Sequence, residues 1–302
     1  LPPAGSIAFL SQGGALLTAL LGMRGEMLGY RACISTGNKA QIKENDLIRF
    51  FAQDEETRVI GFYSEDLSDA KGTIETGRSL LKRATPKPII ALKSGKTSAG
   101  TAASSSHTGA LAGSDAAYEA LFKQAGIIRV DGIETLTETL EVFSKNPLPT
   151  GKRVALLTNA GGLGVMATDA CVEQGLELAR LAPETVETLR SFLPAAANSQ
   201  NPVDVLGDAK ADRYERALTT LLSDKNVDML IVIITPQAMT EALKTAEAIT
   251  SARDHFPEKP IVVSLSGGTS LAEARDFLSR HAISVLLSPE SAARTLNQLS
   301  SV

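Results

Sequence analysis

Apolar residues in this chain gather in short unbroken runs that stop at glycine, proline or small polar residues. In the first half the runs are Ser6–Leu10, Arg58–Tyr63, Pro88–Lys93 and Ile127–Val130. In the second half they are Arg153–Thr158, Asp228–Ile234, Pro260–Leu265 and Ile283–Leu286. Runs of this length, rich in Ile, Val and Leu, predict strands buried on both faces. Helical segments lie between them, Asp46–Gln53 and Tyr214–Leu222 among them. Alternating strands and helices imply an α/β fold around parallel sheets.

The pattern occurs twice. Residues 5–63 and 151–234 follow one plan. The strand Ser6–Leu10 runs into Ser11-Gln12-Gly13-Gly14 and a helix beginning near Ala15. The strand Arg153–Thr158 runs into Asn159-Ala160-Gly161-Gly162 and a helix through Met166 and Cys171. Each half then continues through a helix, a second strand, a helix, a proline-marked strand, a helix, a short strand and a last helix. About five strands per half predict two tandem flavodoxin-like, doubly wound parallel-sheet domains. The expected domains are residues 1–146 and 151–302, with Lys145–Lys152 (Pro147, Pro149, Gly151) as the linker. Repetition on this scale points to duplication of a whole domain, not to a solenoid.

The halves differ after the proline-marked strand. The second enters its helix almost at once, at Thr269-Ser270, whereas the first inserts Lys96–Gly113. From Ser94 to Ala110 only Lys96 and His107 carry large side chains; the rest are Gly, Ala, Ser and Thr. Such a segment has little to bury, and it reads as a pliable loop delivering one imidazole. It sits at the carboxyl end of a strand, the edge where open α/β sheets bind ligands.

Composition narrows the functional classes. A formal net charge of -4 over 302 residues argues against nucleic acid or an anionic membrane surface as the main partner. No apolar run reaches the roughly 20 residues that span a bilayer. Cys33 and Cys171 lie in separate halves and read as reduced thiols of a cytoplasmic protein. No His, Cys or carboxylate cluster has metal-ligand spacing, so no metal site is expected.

The candidate chemistry collects at the predicted sheet edges. A strand ending in Gly-Gly and opening a helix leaves the first helical N–H groups pointing outward, where they and the positive helix end attract phosphate. Both elbows, Ser11-Gln12-Gly13-Gly14 and Asn159-Ala160-Gly161-Gly162, are therefore anion-site candidates. They can face one another and share one anion. Glu65 and Asp66 follow the strand Arg58–Tyr63 at the same edge as His107. A carboxylate there can accept the N–H of one imidazole nitrogen and leave the other nucleophilic. Asp66 also suits the N-cap of a helix starting near Ser68. Asn38, in Thr36-Gly37-Asn38-Lys39, and Asp204, in Asn201-Pro202-Val203-Asp204, read either as cleft residues or as turn residues. His255 and His281 read as capping or surface residues.

Together these motifs resemble the NDP-forming acyl-CoA synthetases, typified by ADP-forming acetyl-CoA synthetase, and more distantly succinyl-CoA synthetase. The resemblance is carried by both Gly-Gly elbows, Gly37-Asn38-Lys39-Ala40, Glu65, Ser106-His107-Thr108-Gly109-Ala110 and Asn201-Pro202-Val203-Asp204, in order along the whole chain. It implies that acyl-CoA and phosphate give acyl phosphate and free CoA. His107 would then carry the phosphoryl group to ADP, Glu65 would orient its imidazole, and the two helix termini would hold phosphate. It also implies a CoA-binding Rossmann domain and an ATP-grasp module, in cis or in trans, and association into an oligomer. This stretch carries neither domain. CoA, ADP or ATP and Mg²⁺ are thus expected in the complete enzyme, and no cofactor is expected on this part alone. Asp66 stands where many relatives have Gly, and Gln41 where many have Asp.

A second reading is an acyl-CoA-sensing regulatory module, because related proteins fuse these domains to a lysine acetyltransferase. The retained His107 favours the ligase. A third is a generic flavodoxin-like anion-binding protein, which predicts phosphate binding with no covalent label.

Overall fold

The computed structural model describes residues 2–23, 27–39, 41–108 and 114–302, with residues 104–108 described by their backbone alone. The chain divides after Ser144 into two compact units, the second running from Lys145 to Ser301.

The first unit runs β1 (Ala4–Ser11), α1 (Gly14–Met23), β2 (Tyr30–Ser35), α2 (Glu44–Gln53), β3 (Val59–Ser64) and α3 (Ala70–Leu81). It continues through β4 (Ile89–Lys93), α4 (Ser98–Thr108), α5 (Asp115–Ala125), β5 (Ile128–Val130) and α6 (Ile133–Lys145). Its sheet has the order β2-β1-β3-β4-β5, and every neighbouring pair is parallel. That is the doubly wound flavodoxin-like order, whose reversal between β1 and β3 opens a crevice at the carboxyl ends of those strands.

The strands are continuous apolar runs because helices cover both faces. On one face Ile60, Phe62, Ile89 and Ala91 pack with Phe51 of α2, Leu80 of α3 and Phe122 of α5, all at most 4% exposed. Burying each large side chain of this kind contributes roughly 1.5–3 kcal/mol. On the other face α6 comes so close that a Cβ at Gly61 would lie 2.9 Å from Leu140 Cδ2, which is why β3 carries a glycine at its centre.

The second unit runs β6 (Arg153–Thr158), α7 (Gly161–Gln174), β7 (Glu177–Leu178), α8 (Pro183–Phe192), β8 (Val203–Asp204) and α9 (Ala211–Ser223). Then come β9 (Met229–Ile234), α10 (Ala242–His255), β10 (Ile261–Leu265), α11 (Ala272–Arg280), β11 (Ser284–Leu286) and α12 (Pro289–Leu299). The order β11-β10-β9-β6-β7 repeats that of the first unit, again all parallel. The outer edge of β6 is shared. β7 pairs with Arg153 and Val154, whereas β8 pairs with Leu157 and Thr158. Between them the side chain of Asn201 stands in for a strand. Its Oδ1 accepts from Leu156 N (2.9 Å), and its Nδ2 donates to Val154 O (2.9 Å) and Ala179 O (3.1 Å).

Two expectations are corrected. Ser98–Thr108 is helical, not an open loop. A segment with little to bury still forms a helix when alanine is frequent, because alanine has the highest helix propensity. Second, Asp66 caps no helix. α3 starts at Ala70, and its N-cap is Asp69, whose Oδ1 accepts from Gly72 N at 2.9 Å. No described helix is long and apolar enough to cross a membrane.

Candidate functional site

In the first unit the carboxyl ends of β1, β3 and β4 meet at one polar cluster. β1 and β3 are in register, with Ser11 opposite Tyr63. The elbow after β1 is fastened by Gln12. Its main-chain N–H donates to Tyr63 O (3.1 Å). Its Oε1 accepts from Glu65 N (2.8 Å), Ser64 Oγ (3.2 Å) and Asp66 N (3.3 Å), and its Nε2 donates to Asp66 Oδ1 (2.7 Å). The Gln12 side chain is thus committed to holding the end of β3 and is not aimed at a ligand. Ser11 Oγ donates to Gly13 O at 2.7 Å and tightens the turn. The first intrahelical bond of α1 runs from Leu17 N to Gly13 O (3.1 Å), so the N–H groups of Gly14, Ala15 and Leu16 precede it. No acidic side chain stands in that first turn. An anion placed there meets free N–H groups and the positive end of the helix.

The second unit repeats the device. Asn159 Oδ1 accepts from Thr235 N (2.9 Å) and Thr235 Oγ1 (3.0 Å), while its Nδ2 donates to Thr235 O (3.0 Å). Thr158 Oγ1 accepts from Ala160 N (3.0 Å), and Gly164 N to Ala160 O (3.1 Å) is the first bond of α7. The N–H groups of Gly161, Gly162 and Leu163 precede it. Asp204 lies at this elbow: a Cβ on Gly161 would be 3.0 Å from Asp204 Oδ2. The Oδ1 of Asp204 accepts from Leu206 N (2.8 Å), so the residue serves the turn and the elbow together. Asn38, by contrast, is exposed in the turn closed by Lys39 N to Thr36 O (3.2 Å).

Glu65 is 7% exposed. Its Oε1 is 3.4 Å from the Tyr63 hydroxyl, which is itself 3.1 Å from Ser94 Oγ at the end of β4. A Cβ at Gly13 would lie 3.7 Å from Tyr63 Cε1, so the tyrosine ring flanks the elbow. Burial pushes the Tyr63 phenol above its usual pKa, so it stays protonated at neutral pH. Beyond Ser94 the chain passes Gly95, at φ +74°, into α4. The backbone of His107 lies in the last turn of α4. Its imidazole, the side chains of Ser104–Thr108, and Ala40 and Gly109–Gly113 are outside the described residues.

Two buried lysines at this edge were given no role from the sequence. Lys39, at φ +54°, donates from Nζ to Asp66 O (2.7 Å) and pairs with Asp66 Oδ1 (2.9 Å). Glu44 Oε2 is 3.4 Å from the same Nζ, without hydrogen-bond geometry. Burial pushes the Asp66 carboxyl up, but the bonds from Lys39 and Gln12 outweigh it and hold the group below its usual range. Lys93, 1% exposed, donates to Ser94 O and lies 4.4 Å from the Tyr118 ring centroid. Burial, then the Arg129 charge, lowers its pKa. A lysine closing an apolar strand, as Lys93 does in Pro88–Lys93, was the available signal; for Lys39 it was its place in Gly37-Asn38-Lys39-Ala40.

The remaining candidates serve the fold. His255 ends α10 with Nδ1 2.7 Å from Ser251 O. His281 caps α11 with Nδ1 2.8 Å from Phe277 O. Cys33 and Cys171 are unpaired, and burial raises their thiols to about 11 and about 12. Among the described residues, no group of three or more His, Cys, Asp or Glu is arranged to hold a metal ion.

The succinyl-CoA ligase like flavodoxin domain family matches residues 4–143, and the Ligase-CoA domain family matches residues 154–295. The acetate–CoA ligase [ADP-forming] I of Archaeoglobus fulgidus is 39% identical over 299 residues, covering 99% of this chain. The chain belongs to the ADP-forming acyl-CoA synthetase family. Another member, the acetate–CoA ligase [ADP-forming] II subunit alpha of Pyrococcus furiosus, is 38% identical over 96% of the chain. A solved member is the dinucleotide-forming acetyl-coenzyme A synthetase 1 of Ca. Korarchaeum cryptofilum, in complex with phosphate and ADP. It superposes with a TM-score of 0.92 at 35% identity over 99% of this chain. The chain spans 42% of the Archaeoglobus relative, 63% of the Pyrococcus subunit and 65% of the solved chain. Family membership agrees with two flavodoxin-like units whose elbows open the same edge of each sheet.

Proposed function

We propose that this chain is the phosphoryl-transfer core of an ADP-forming acyl–CoA ligase. The complete enzyme interconverts acyl-CoA, ADP and phosphate with acid, CoA and ATP. A phosphate oxygen attacks the thioester carbonyl, the C–S bond breaks and CoA leaves. A nitrogen of His107 then attacks the phosphorus of the acyl phosphate, and the acid departs. Finally an ADP oxygen takes the phosphoryl group and the P–N bond breaks. Phosphoryl transfer of this kind asks the protein mainly for positioning and charge stabilisation.

The observation that carries this reading is the first unit's edge. Buried Glu65, held by Gln12 through its main chain, lies beside an acid-free helix N-terminus, and β4 leads from the same edge into the helix that carries His107. In this proposal the main-chain N–H groups after Gly13-Gly14 and Gly161-Gly162 hold phosphate, and Glu65 orients His107. Ser11, Gln12, Asn159 and Ala160 shape the elbows, and Asp204 lines the second one. CoA and nucleotide with its Mg²⁺ would be held by CoA-binding and ATP-grasp domains, in cis or, as the name of the Pyrococcus alpha subunit suggests, in trans within an oligomer.

Incubating the full-length enzyme with Mg²⁺ and ATP labelled at the γ-phosphate tests the proposal. An acid-labile, base-stable label that maps to His107 and is absent in His107→Asn is expected. No label from protein that still binds acyl-CoA would refute it in favour of a sensing module.

A further inference from the structure

Lys93 closes β4 and is 1% exposed. In the register of the sheet it stands opposite Ser64, the last residue of β3, while Ser11 stands opposite Tyr63. Neighbouring strands lie about 4.8 Å apart, so Lys93 sits about 10 Å along the carboxyl edge from the Gly13-Gly14 elbow. An ammonium has three N–H donors. Among the described residues Lys93 uses one of them, to Ser94 O, and its Nζ otherwise lies over the Tyr118 ring, 4.4 Å from the centroid. The Arg129 charge opposes it, and Asp115, Asp66 and Glu65 favour it. It forms no ion pair with any of the three among the described residues. Asp115 is bound by Arg129, and Asp66 by Lys39 and Gln12. Keeping an ammonium out of water without an ion-pair partner costs stability.

The fold does not require that cost. β10 is the equivalent strand of the second unit, and in the place of Lys93 it ends in Leu265, also 1% exposed. Both strands are buried along their whole length, and both run on into Ser-Gly, at Ser94-Gly95 and Ser266-Gly267. The half with the leucine passes almost at once into its next helix. The half with the lysine carries the inserted segment with His107. We propose that Lys93 is a charge-supplying residue for phosphoryl transfer. Its buried ammonium stabilises, through its field and without contact, the phosphoryl anion that passes between the first elbow and His107. This rests on the phosphohistidine reading above. A charge walled off from water acts at longer range than one in solvent, where counter-ions screen it.

The test compares the full-length enzyme with its Lys93→Met and His107→Asn variants. Lys93→Met keeps an unbranched side chain of similar length and removes the charge. Calorimetry reads Tm, steady-state kinetics read KM for phosphate, acyl-CoA and ADP, and ATP labelled at the γ-phosphate reads the phosphoenzyme. Lys93→Met should melt at or above the parent's Tm, because a buried charge without a partner is gone. Its KM for phosphate should rise roughly tenfold, the effect of a unit charge about 10 Å away at an effective dielectric of about 20. Its phosphoenzyme at sub-saturating ATP should fall by a similar factor, with KM for acyl-CoA and ADP within about twofold. A lysine that merely holds Ser94 and Tyr118 in place predicts the reverse, a lower Tm with phosphate KM and labelling unchanged. A lower Tm, failure of Lys93→Met to fold, an equal rise in all three KM values, or a phosphate KM within about twofold of the parent each overturns the proposal. Full turnover and labelling by His107→Asn would sink the phosphohistidine reading, and this inference with it. A dead His107→Asn beside an unaffected Lys93→Met sinks the inference alone.

Discussion

Removing the Gln12 side chain should loosen the first unit and its site together. In Gln12→Ala the buried Glu65 N–H loses its acceptor at 2.8 Å, and leaving a buried donor unpaired costs roughly 1–3 kcal/mol. The bonds from Ser64 Oγ at 3.2 Å and Asp66 N at 3.3 Å are longer and weaker. The 2.7 Å bond to Asp66 is charge-assisted, but Asp66 is 23% exposed and keeps Lys39, so its loss adds about 1 kcal/mol. The sum is about 3 kcal/mol. For a unit of this size that corresponds to a fall in Tm of roughly 6–12 °C. Differential scanning calorimetry reads it, and Asn159→Ala in the second unit is the matched control. That change strands Thr235 N–H and removes a bond to Thr235 O, so it should cost a similar amount. Gln12→Glu separates the two halves of the clamp. It retains the acceptor for Glu65 N but sets a carboxylate against Asp66, so it should be at least as damaging at pH 7 and recover once the pH falls below about 4. A Gln12→Ala protein within about 1 kcal/mol of the parent, below even one stranded donor, would refute this reasoning.

Two further changes probe the second unit. Asn201→Ala removes the amide that substitutes for a strand beside Leu156, and should cost roughly 2–4 kcal/mol, read as a lower urea midpoint; a change under about 1 kcal/mol would mean that water fills the gap. Asp228 is held below the usual carboxyl range chiefly by hydrogen bonds from Arg153, at 2.9 and 2.7 Å. A carboxyl depressed in the folded state adds stability that is present above its unfolded pKa of about 4 and is lost as pH falls through the lower folded value. Acid titrations should therefore find Asp228→Asn less stable at pH 7 and flatter than the parent between pH 5 and 2.

What could be read from the sequence was what periodicity and repetition encode. The expected strand Arg153–Thr158 has the observed bounds, and the expected Asp228–Ile234 and Pro260–Leu265 begin one residue before the observed Met229–Ile234 and Ile261–Leu265. Continuous Ile, Val and Leu between breakers have few alternatives to a covered parallel strand. The edge elements were not legible. β7 and β8 are two residues each, too short for any period, and the gap between them is filled by a side chain, Asn201, that looks in sequence like a turn residue. The helix α4 was read as a loop because small residues were judged by what they bury and not by propensity. Asp66 was placed as a cap because a partner as distant in sequence as Lys39 leaves no local mark.

Repetition also hid a difference that the structure exposes. Gln12 and Asn159 occupy equivalent elbows, and both elbows were read together as phosphate sites. Both side chains tie the elbow to the next strand, Gln12 to Ser64, Glu65 and Asp66, and Asn159 to Thr235. What each elbow offers an anion is its main-chain N–H groups, and their surroundings are unlike. A Cβ on Gly14 would lie 3.5 Å from the Ser35 hydroxyl, whereas one on Gly161 would lie 3.0 Å from the Asp204 carboxylate. At the first residue of the helix a negative ligand therefore meets a hydroxyl at α1 and a carboxylate at α7, and the carboxylate disfavours it there. On this argument the duplicated halves have diverged. The first has kept the more receptive helix end, and it is also the half that carries the inserted segment with His107.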